Sequence, residues 1–256
     1  MGPKGIDNSR RKFIRNTALA AGGALTAFLT QPAKALVIAA GKPADPGTPW
    51  YGIGIDIDKC IGCGRCARAC KIENDVPDEP FYFRSWVEQY TIKNDGEVVI
   101  EAPNGGVGGF TQSVPDEEIF KSFFVPKMCN QCYKSPCEQV CPVGATYLSP
   151  EGAVLVDKDH CIGCRYCIQA CPYGCRYIHP EKKVVDKCNL CYHRITKGMQ
   201  PACFEVCPTG ARIFGDLNDR EGELVAFIRE HNCQVLKPHL NTGSKLFYNS
   251  LSSEVK

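Results

Sequence analysis

Past residue 30 the sequence has no apolar run approaching the roughly 20 residues that a bilayer-spanning helix needs, so no membrane crossing is expected in the body of the protein. Charge of either sign is not in excess. The 30 Lys and Arg residues stand against 28 Asp and Glu, a formal net charge of +2, which gives no electrostatic ground for binding nucleic acid. Long uninterrupted helices and strands are also not expected to fill a chain with 24 Gly and 18 Pro, so regular structure should be sparse and loops many. What is abundant is cysteine, 18 residues in 256. Loop-rich chains of this kind are commonly held by disulfides or by bound metal, and the spacing of the cysteines decides between them.

The N-terminus reads as an export leader over residues 1–35. Arg10 and Arg11 form a twin-arginine pair, the moderately apolar stretch Thr17 to Thr30 follows, and Ala33 and Ala35 make an A-x-A site. The apolar stretch is interrupted by Gly22 and Gly23 and is short for a membrane span, so a retained anchor is the second reading. Cleavage after Ala35 would take six of the 30 basic residues and one of the 28 acidic ones, leaving 24 against 27. The twin-arginine route carries folded proteins, which suits a cofactor inserted before export, and predicts a periplasmic or other extracytoplasmic location. Residues 36–50, rich in Ala, Gly and Pro, read as a linker.

The rest is a fourfold repeat. Cys60, Cys63, Cys66 and Cys70 are spaced C-x2-C-x2-C-x3-C, and Cys161, Cys164, Cys167 and Cys171 repeat that spacing. Cys129, Cys132, Cys137 and Cys141 are spaced C-x2-C-x4-C-x3-C. In Cys188, Cys191, Cys203 and Cys207 the middle gap grows to the eleven residues YHRITKGMQPA. Three motifs end in Cys-Pro-x-Gly followed by a β-rich run: CPVGATYL, CPYGCRYI and CPTGARIF. Short β-like runs precede the motifs at Gly52 to Ile57, Phe123 to Val125, Val154 to Val156 and Val184 to Val185. One helical turn is expected between the third and fourth cysteines of each motif.

This is the spacing of the bacterial ferredoxin run, in which three thiolates grip one iron–sulfur cubane and the fourth reaches the neighbouring cluster. A single motif is therefore not self-sufficient, and four can pair completely. Disulfides fit poorly, because cysteines two residues apart are badly placed to bridge each other. Zinc is the stronger rival, but a tetrahedral zinc site has no need of the third cysteine in C-x2-C-x2-C. The five histidines, His160, His179, His193, His231 and His239, do not stand in for a missing cysteine and are expected at the surface or in hydrogen bonds. Cys175 occupies the place of Ala145 and Ala211 in the sister repeats and reads as a buried inert thiol, whereas Cys233 lies outside every motif. Arg65, Lys134, Arg165 and Lys197 lie inside the loops; they are either solvated or offset cluster charge and raise reduction potentials.

Four such motifs in this order, with a widened fourth, resemble the iron–sulfur subunits of molybdopterin oxidoreductase complexes, those of dimethyl sulfoxide, tetrathionate and polysulfide reductases and the similar protein of nitrite reduction. The resemblance covers about residues 50 to 217. It implies an α+β fold of two pseudo-symmetric ferredoxin-like modules, each with two 4Fe-4S clusters: an outer one from residues 51–71 and 180–217, and an inner one from 123–179. Residues 72–122 would be an insertion and 218–256 a C-terminal extension, with a helix near Glu221 to Glu230 and then a polar tail. Within the insertion a hairpin is expected around Lys93 to Gly96, and the aromatic patch Phe81, Tyr82, Phe83 and Trp86 fills a local core more readily than it docks a partner.

The family pattern implies four ligand sets: Cys60, Cys63, Cys66 with Cys207; Cys188, Cys191, Cys203 with Cys70; Cys129, Cys132, Cys137 with Cys171; and Cys161, Cys164, Cys167 with Cys141. Some relatives replace the residue at Cys137 and hold a three-iron cluster; cysteine here implies four cubanes. Two departures stand out: Lys71 replaces the proline of the other motifs, which affects the local turn, and the leader resembles that of the subset with a separately exported partner. The implied role is electron relay between a membrane quinone-reactive subunit and a molybdopterin or multihaem cytochrome partner. The protein would have no catalytic residue and no small-molecule substrate. An iron–sulfur enzyme is disfavoured because a complete ligand set leaves no open iron, and a redox sensor would need an output domain that the sequence does not offer.

Overall fold

The computed structural model describes residues 47–255. The expected leader and residues 36–46 of the expected linker lie outside the described residues. Of that linker, Trp50 already belongs to the fold: it is 2% exposed, and its N–H donates to the Asp216 carboxylate at 2.7 Å.

The fold is α+β, built of small sheets and short helices. Strand β1 (Tyr51–Asp56) leads into the first cysteine motif, and helix α1 (Arg65–Asn74) leaves it. Strand β2 (Ser85–Lys93), β3 (Val98–Glu101) and β4 (Ile119–Met128) come next, and β4 runs straight into Cys129. The second motif contains α2 (Pro136–Gln139) and ends in β5 (Thr146–Leu148), which pairs antiparallel with β6 (Val154–Val156). The third contains α3 (Tyr166–Gln169) and ends in β7 (Arg176–Ile178), paired with β8 (Val185–Lys187). The fourth contains α4 (Tyr192–Ile195) and α5 (Ala202–Glu205) and ends in β9 (Arg212–Asp216).

The expected single turn between third and fourth cysteines is present in three motifs and exceeded in the first. In motifs two to four the helix stops before the Cys-Pro pair, because proline lacks an N–H and its ring excludes α geometry from the residue before it. Lys71 imposes no such stop, so α1 continues to Asn74 and ends at Asp75, whose φ is 50°. The Lys71 ammonium donates to the Pro77 carbonyl at 2.7 Å and lies 4.3 Å from the centre of the Phe83 ring, pinning the backbone that leaves the helix.

The C-terminal portion departs from the expected polar tail. Helix α6 (Glu223–Glu230) packs over β1 and β9, and Gly54 makes room for it: a Cβ there would come within 2.8 Å of Phe227. The polypeptide then returns as β10 (Leu246–Asn249), parallel to β1, giving the sheet order β10-β1-β9. Leu246, Phe247 and Tyr248 are at most 1% exposed, so this run, LFYN, is a core strand. The insertion is likewise more regular than a hairpin: β2 pairs with β3 and, over nearly its whole length, with β4, in the order β3-β2-β4. Phe81 in its aromatic patch is 85% exposed, while Tyr82, Phe83 and Trp86 are half-buried or better. Among the described residues no helix is long and apolar enough to cross a membrane.

Candidate functional site: four cysteine loops and the charges around them

The four C-x2-C loops share one backbone device. The residue before the second cysteine is left-handed in every motif: Gly62 (φ 67°), Gln131 (φ 47°), Gly163 (φ 68°) and Leu190 (φ 57°). Glycine takes this conformation without penalty, whereas for Gln and Leu it costs about 1–3 kcal/mol, strain that persists only when the surroundings enforce it. They do so here. Gln131 is fully buried, donates to the Cys188 carbonyl at 3.0 Å and accepts from the Val154 amide at 2.8 Å; Leu190 is 1% exposed. The Leu190 amide in turn lies 3.4 Å from the Cys188 sulfur.

None of the 18 cysteines is in a disulfide. Cys60, Cys63, Cys66 and Cys207 line one cavity. Cys70 faces Cys203, Cys188 and Cys191, so α1 carries the first motif's last sulfur across to the fourth motif. Cys132 and Cys137 share Cys129 and Cys171 as electrostatic neighbours, and Cys167 has Cys161 and Cys141. Cys164 stands exposed on the loop of Cys161 and Cys167, as Cys63 does on the first loop. Among the described residues no three His, Cys, Asp or Glu side chains close on one point as a lone metal ion would require; the sulfurs of the first set surround a shared space instead.

The last sulfur of each motif differs with the turn after it. Burial raises the Cys141 thiol pKa, but the amides of Thr146, Val143, Ala145 and Gly144 in the Cys-Pro turn outweigh it and hold the value below the ordinary one. At Cys207 burial is likewise overcome, by the Thr209 hydroxyl and the amides of Thr209, Ala211 and Arg212. Cys171 is lowered to about 5, first by the Cys175 thiol and then by the amides of Cys175 and Tyr173 against burial. Cys70 has no such turn. Burial and the sulfurs of Cys203, Cys188 and Cys191 push it well above the usual thiol value. Its polar neighbour is Asn74, whose amide nitrogen is 3.7 Å from the Cys70 sulfur and 3.5 Å from that of Cys191. Arg84 orients that amide by donating to its oxygen at 2.9 Å, and is itself fixed by a buried ion pair with Asp186 at 2.8 Å.

Sequence reasoning located the loop cations, but Arg65, Lys134, Arg165 and Lys197 are all exposed. The buried cations lie elsewhere. Arg212 reaches the Cys66 sulfur at 3.3 Å and that of Cys203 at 3.7 Å, and Arg176 reaches that of Cys137 at 2.9 Å. Lys187 is held by the carbonyls of Val154 and Cys188, and Lys245 by that of Gly152 and the Trp50 ring. The signal for the two arginines was in the repeat itself, since both stand five residues after the last cysteine of their motif.

These residues fit iron–sulfur clusters. Burying a cation costs several kcal/mol unless anionic charge offsets it, and the charges facing Arg176 and Arg212 are cysteine sulfurs. Thiolates bound to an iron–sulfur cage supply that charge; neutral thiols do not. Asn130, between Cys129 and Cys132, buries both polar atoms of its side-chain amide, with the Tyr173 hydroxyl as a polar neighbour.

Two family models described as "4Fe-4S dicluster domain" match the sequence, over residues 59–145 and 120–217. A tetrathionate reductase subunit from Salmonella typhimurium is 35% identical over 251 residues, covering 95% of this protein and 88% of the relative. A tetrathionate reductase subunit from Archaeoglobus fulgidus is 42% identical over 202 residues, 79% of this protein and 83% of its own length. A polysulfide reductase chain from Wolinella succinogenes is 36% identical over 198 residues, 77% and 92% of the two sequences. The protein belongs to this family of iron–sulfur subunits. It is an electron-transfer subunit of an oxidoreductase complex, not a catalytic one, and it holds 4Fe-4S clusters.

In this iron–sulfur subunit the two extra cysteines differ in their surroundings, Cys175 lying beside the ligand Cys171 and Cys233 lying near α6. Cys175 is 3% exposed, with its sulfur 3.2 Å from the Met128 carbonyl, and has a coulombic interaction with Cys129, Cys171 and Cys188; Cys233 lies beneath α6, 4.0 Å from the Phe227 carbonyl. Among the histidines, His160 bonds Asp157, His193 bonds Glu73, His231 bonds the Phe227 carbonyl, and His179 accepts from the amides of Glu181 and Lys182.

Proposed function

We propose that the protein is a wire of four 4Fe-4S clusters that relays electrons on the outer side of a membrane. It would do so between a quinone-reactive membrane subunit and a molybdopterin or multihaem catalytic partner. The ligand sets are Cys60, Cys63, Cys66, Cys207; Cys70, Cys188, Cys191, Cys203; Cys129, Cys132, Cys137, Cys171; and Cys141, Cys161, Cys164, Cys167. The observation that carries this reading is the linear order of sulfur neighbours. Arg212 bonds Cys66 of the first set and Cys203 of the second, Gln131 on the loop of the third set bonds the Cys188 carbonyl of the second, and Arg176 bonds Cys137 of the third with Cys167 of the fourth among its charged neighbours.

Burial runs in the same order. All four cysteines of the second set are buried, as are three of the third, while the first and fourth sets each contain one exposed sulfur, Cys63 and Cys164. Beside each stands an exposed isoleucine, Ile61 and Ile162. The ends of the wire are thus where the protein leaves its ligands open to partners, and the middle is where it excludes water. Each bound cluster supplies a one-electron carrier, and the surrounding polypeptide sets its potential. Outer and inner modules correspond to residues 51–71 with 180–217 and to 123–179. The pairing of β1 with β9 supports the first, and the hairpin β5-β6 between the second and third motifs supports the second.

Anaerobically purified protein is expected to yield about sixteen iron and sixteen acid-labile sulfide per polypeptide, about four of each per cubane. A zinc-rich sample lacking sulfide overturns the proposal.

A further inference from the structure

The repeat places one residue, the fifth after the last cysteine, at the first position of the strand that leaves the motif: Thr146 opens β5, Arg176 opens β7 and Arg212 opens β9. Two of the three are arginines, and both are buried, at 6% and 5% exposure. Their guanidinium groups do not belong to one sulfur set each. Arg212 spans Cys66 through Nη2 and Cys203 through Nη1, with Ser85 Oγ at 2.9 Å and Met128 Sδ at 3.3 Å completing its contacts. Arg176 donates to Cys137 through Nη2, has Cys167 among its charged neighbours, and uses Nη1 to bond Thr146, the residue at its own repeat position in the second motif, at 3.2 Å.

Other buried cations of the protein are matched to oxygen: Arg84 to Asp186, Lys187 and Lys245 to carbonyls. Among the described residues no carboxylate forms an ion pair with Arg176 or Arg212. Burial works to lower both guanidinium pKa values, but the sulfurs outweigh it and hold them above the ordinary value.

We propose that Arg212 and Arg176 are equivalent positioning residues, one per module, each inserted between two clusters so that a single fixed charge raises the potential of both. This rests on the four-cluster reading above. The physical reason is that an electron added to one cluster repels the next electron at its neighbour, and a cation between them offsets that repulsion while favouring each reduced state. Arginine is suited to the place because it stays charged and its planar fork presents separate Nη1 and Nη2 donors to the two sulfurs.

The test is a potentiometric titration followed by electron paramagnetic resonance on Arg212→Gln and Arg176→Gln, with signals assigned to their motifs by Cys63→Ser and Cys164→Ser. Arg212→Gln is expected to lower the reduction equilibrium of the clusters of Cys60 and Cys70 by about tenfold or more, about 59 mV for a one-electron couple, and to leave the other two in place. Arg176→Gln is expected to do the reverse. Variants with full iron and sulfide whose four potentials match the parent overturn the proposal, as do two variants that shift the same clusters. Where a glutamine variant loses iron, Arg→Met at the same position is measured instead; it removes the charge while keeping much of the bulk and should still shift its own pair downward, and an unshifted pair overturns the proposal. Iron and sulfide in the parent protein report separately on the four-cluster reading.

Discussion

The first cysteine motif and the other three deliver their last sulfur by different means. After Cys141, Cys171 and Cys207 a proline ends the helix, the backbone turns through glycine, and amides close on the sulfur. After Cys70 the helix goes on, the amides stay in helical hydrogen bonds, and an asparagine one turn later takes their place. Lys71 and Glu73, where the other motifs have proline and glycine, thus go with a ligand whose polar surroundings come from a side chain and not from a main-chain turn. The main-chain solution stands by itself at Cys141, while Cys171 adds the Cys175 thiol and Cys207 the Thr209 hydroxyl, each from within the same turn. The side-chain solution needs supports: Asn74 depends on Arg84, and Arg84 on Asp186.

The most severe way to break the contrast is Lys71→Pro. Proline there would stop α1 at Cys70, remove the Lys71 contacts to Pro77 and Phe83, and displace Asn74. Because no Cys-Pro-x-Gly turn is encoded after it, the new proline would not create an amide nest. Iron analysis should show roughly a quarter of the iron missing, the share of one cubane in four, and the lost signal should be that of the cluster of Cys188 and Cys191.

Next in size is Arg84→Met. It leaves Asp186 buried without its main partner, with Lys158, 37% exposed in its side chain and 3.7 Å away, the Tyr177 hydroxyl and the Lys187 amide at 2.9 Å. Breaking such a pair from one side costs about 3–5 kcal/mol, measurable by thermal or denaturant unfolding. The pH dependence has a definite sign. Burial would raise the Asp186 pKa, but Arg84 more than compensates and holds it below the ordinary carboxylate value. A carboxyl depressed in the folded state stabilises fully above its unfolded pKa and loses that contribution as pH falls through the folded one. The parent protein should therefore lose stability in that acid window, and Arg84→Met should lose the Arg84-dependent part of the slope.

Much of this architecture was legible because cluster ligation is encoded locally. The proline and glycine signals marked β5, β7 and β9, and the valine run marked β6 at its observed bounds. What was not legible depends on distant contacts. LFYN at 246–249 is too short to read as a strand until β1 supplies its partner. Lys245 looks like a tail charge until Gly152 and Trp50 close over it. The continuation of α1 could have been inferred, since the missing proline was visible, yet its consequence for Asn74 required knowing that the fourth motif lies beside it. Likewise the exposed loop cations Arg65, Lys134, Arg165 and Lys197 drew attention by lying inside the motifs, whereas Arg176 and Arg212 reach their sulfurs only because β7 and β9 fold back under the loops.

The finer contrasts concern single donors. Asn74→Ala removes the side-chain donor near Cys70 and Cys191 and should lower the potential of that one cluster by up to about tenfold in reduction equilibrium, seen by redox titration. Cys175→Ala should do less. The Cys175 thiol is a weak donor beside Cys171, where the amides of Cys175 and Tyr173 also act and remain after the substitution. Alanine already fills this place at Ala145 and Ala211, both at most 2% exposed, so the fold should accept it. The expected result is a small downward shift confined to the cluster of Cys129, Cys132 and Cys137. A Cys175→Ala shift as large as that of Asn74→Ala would mean that the thiol and not the amides dominates at Cys171, and the distinction between the two kinds of arm would collapse to a difference in side chains.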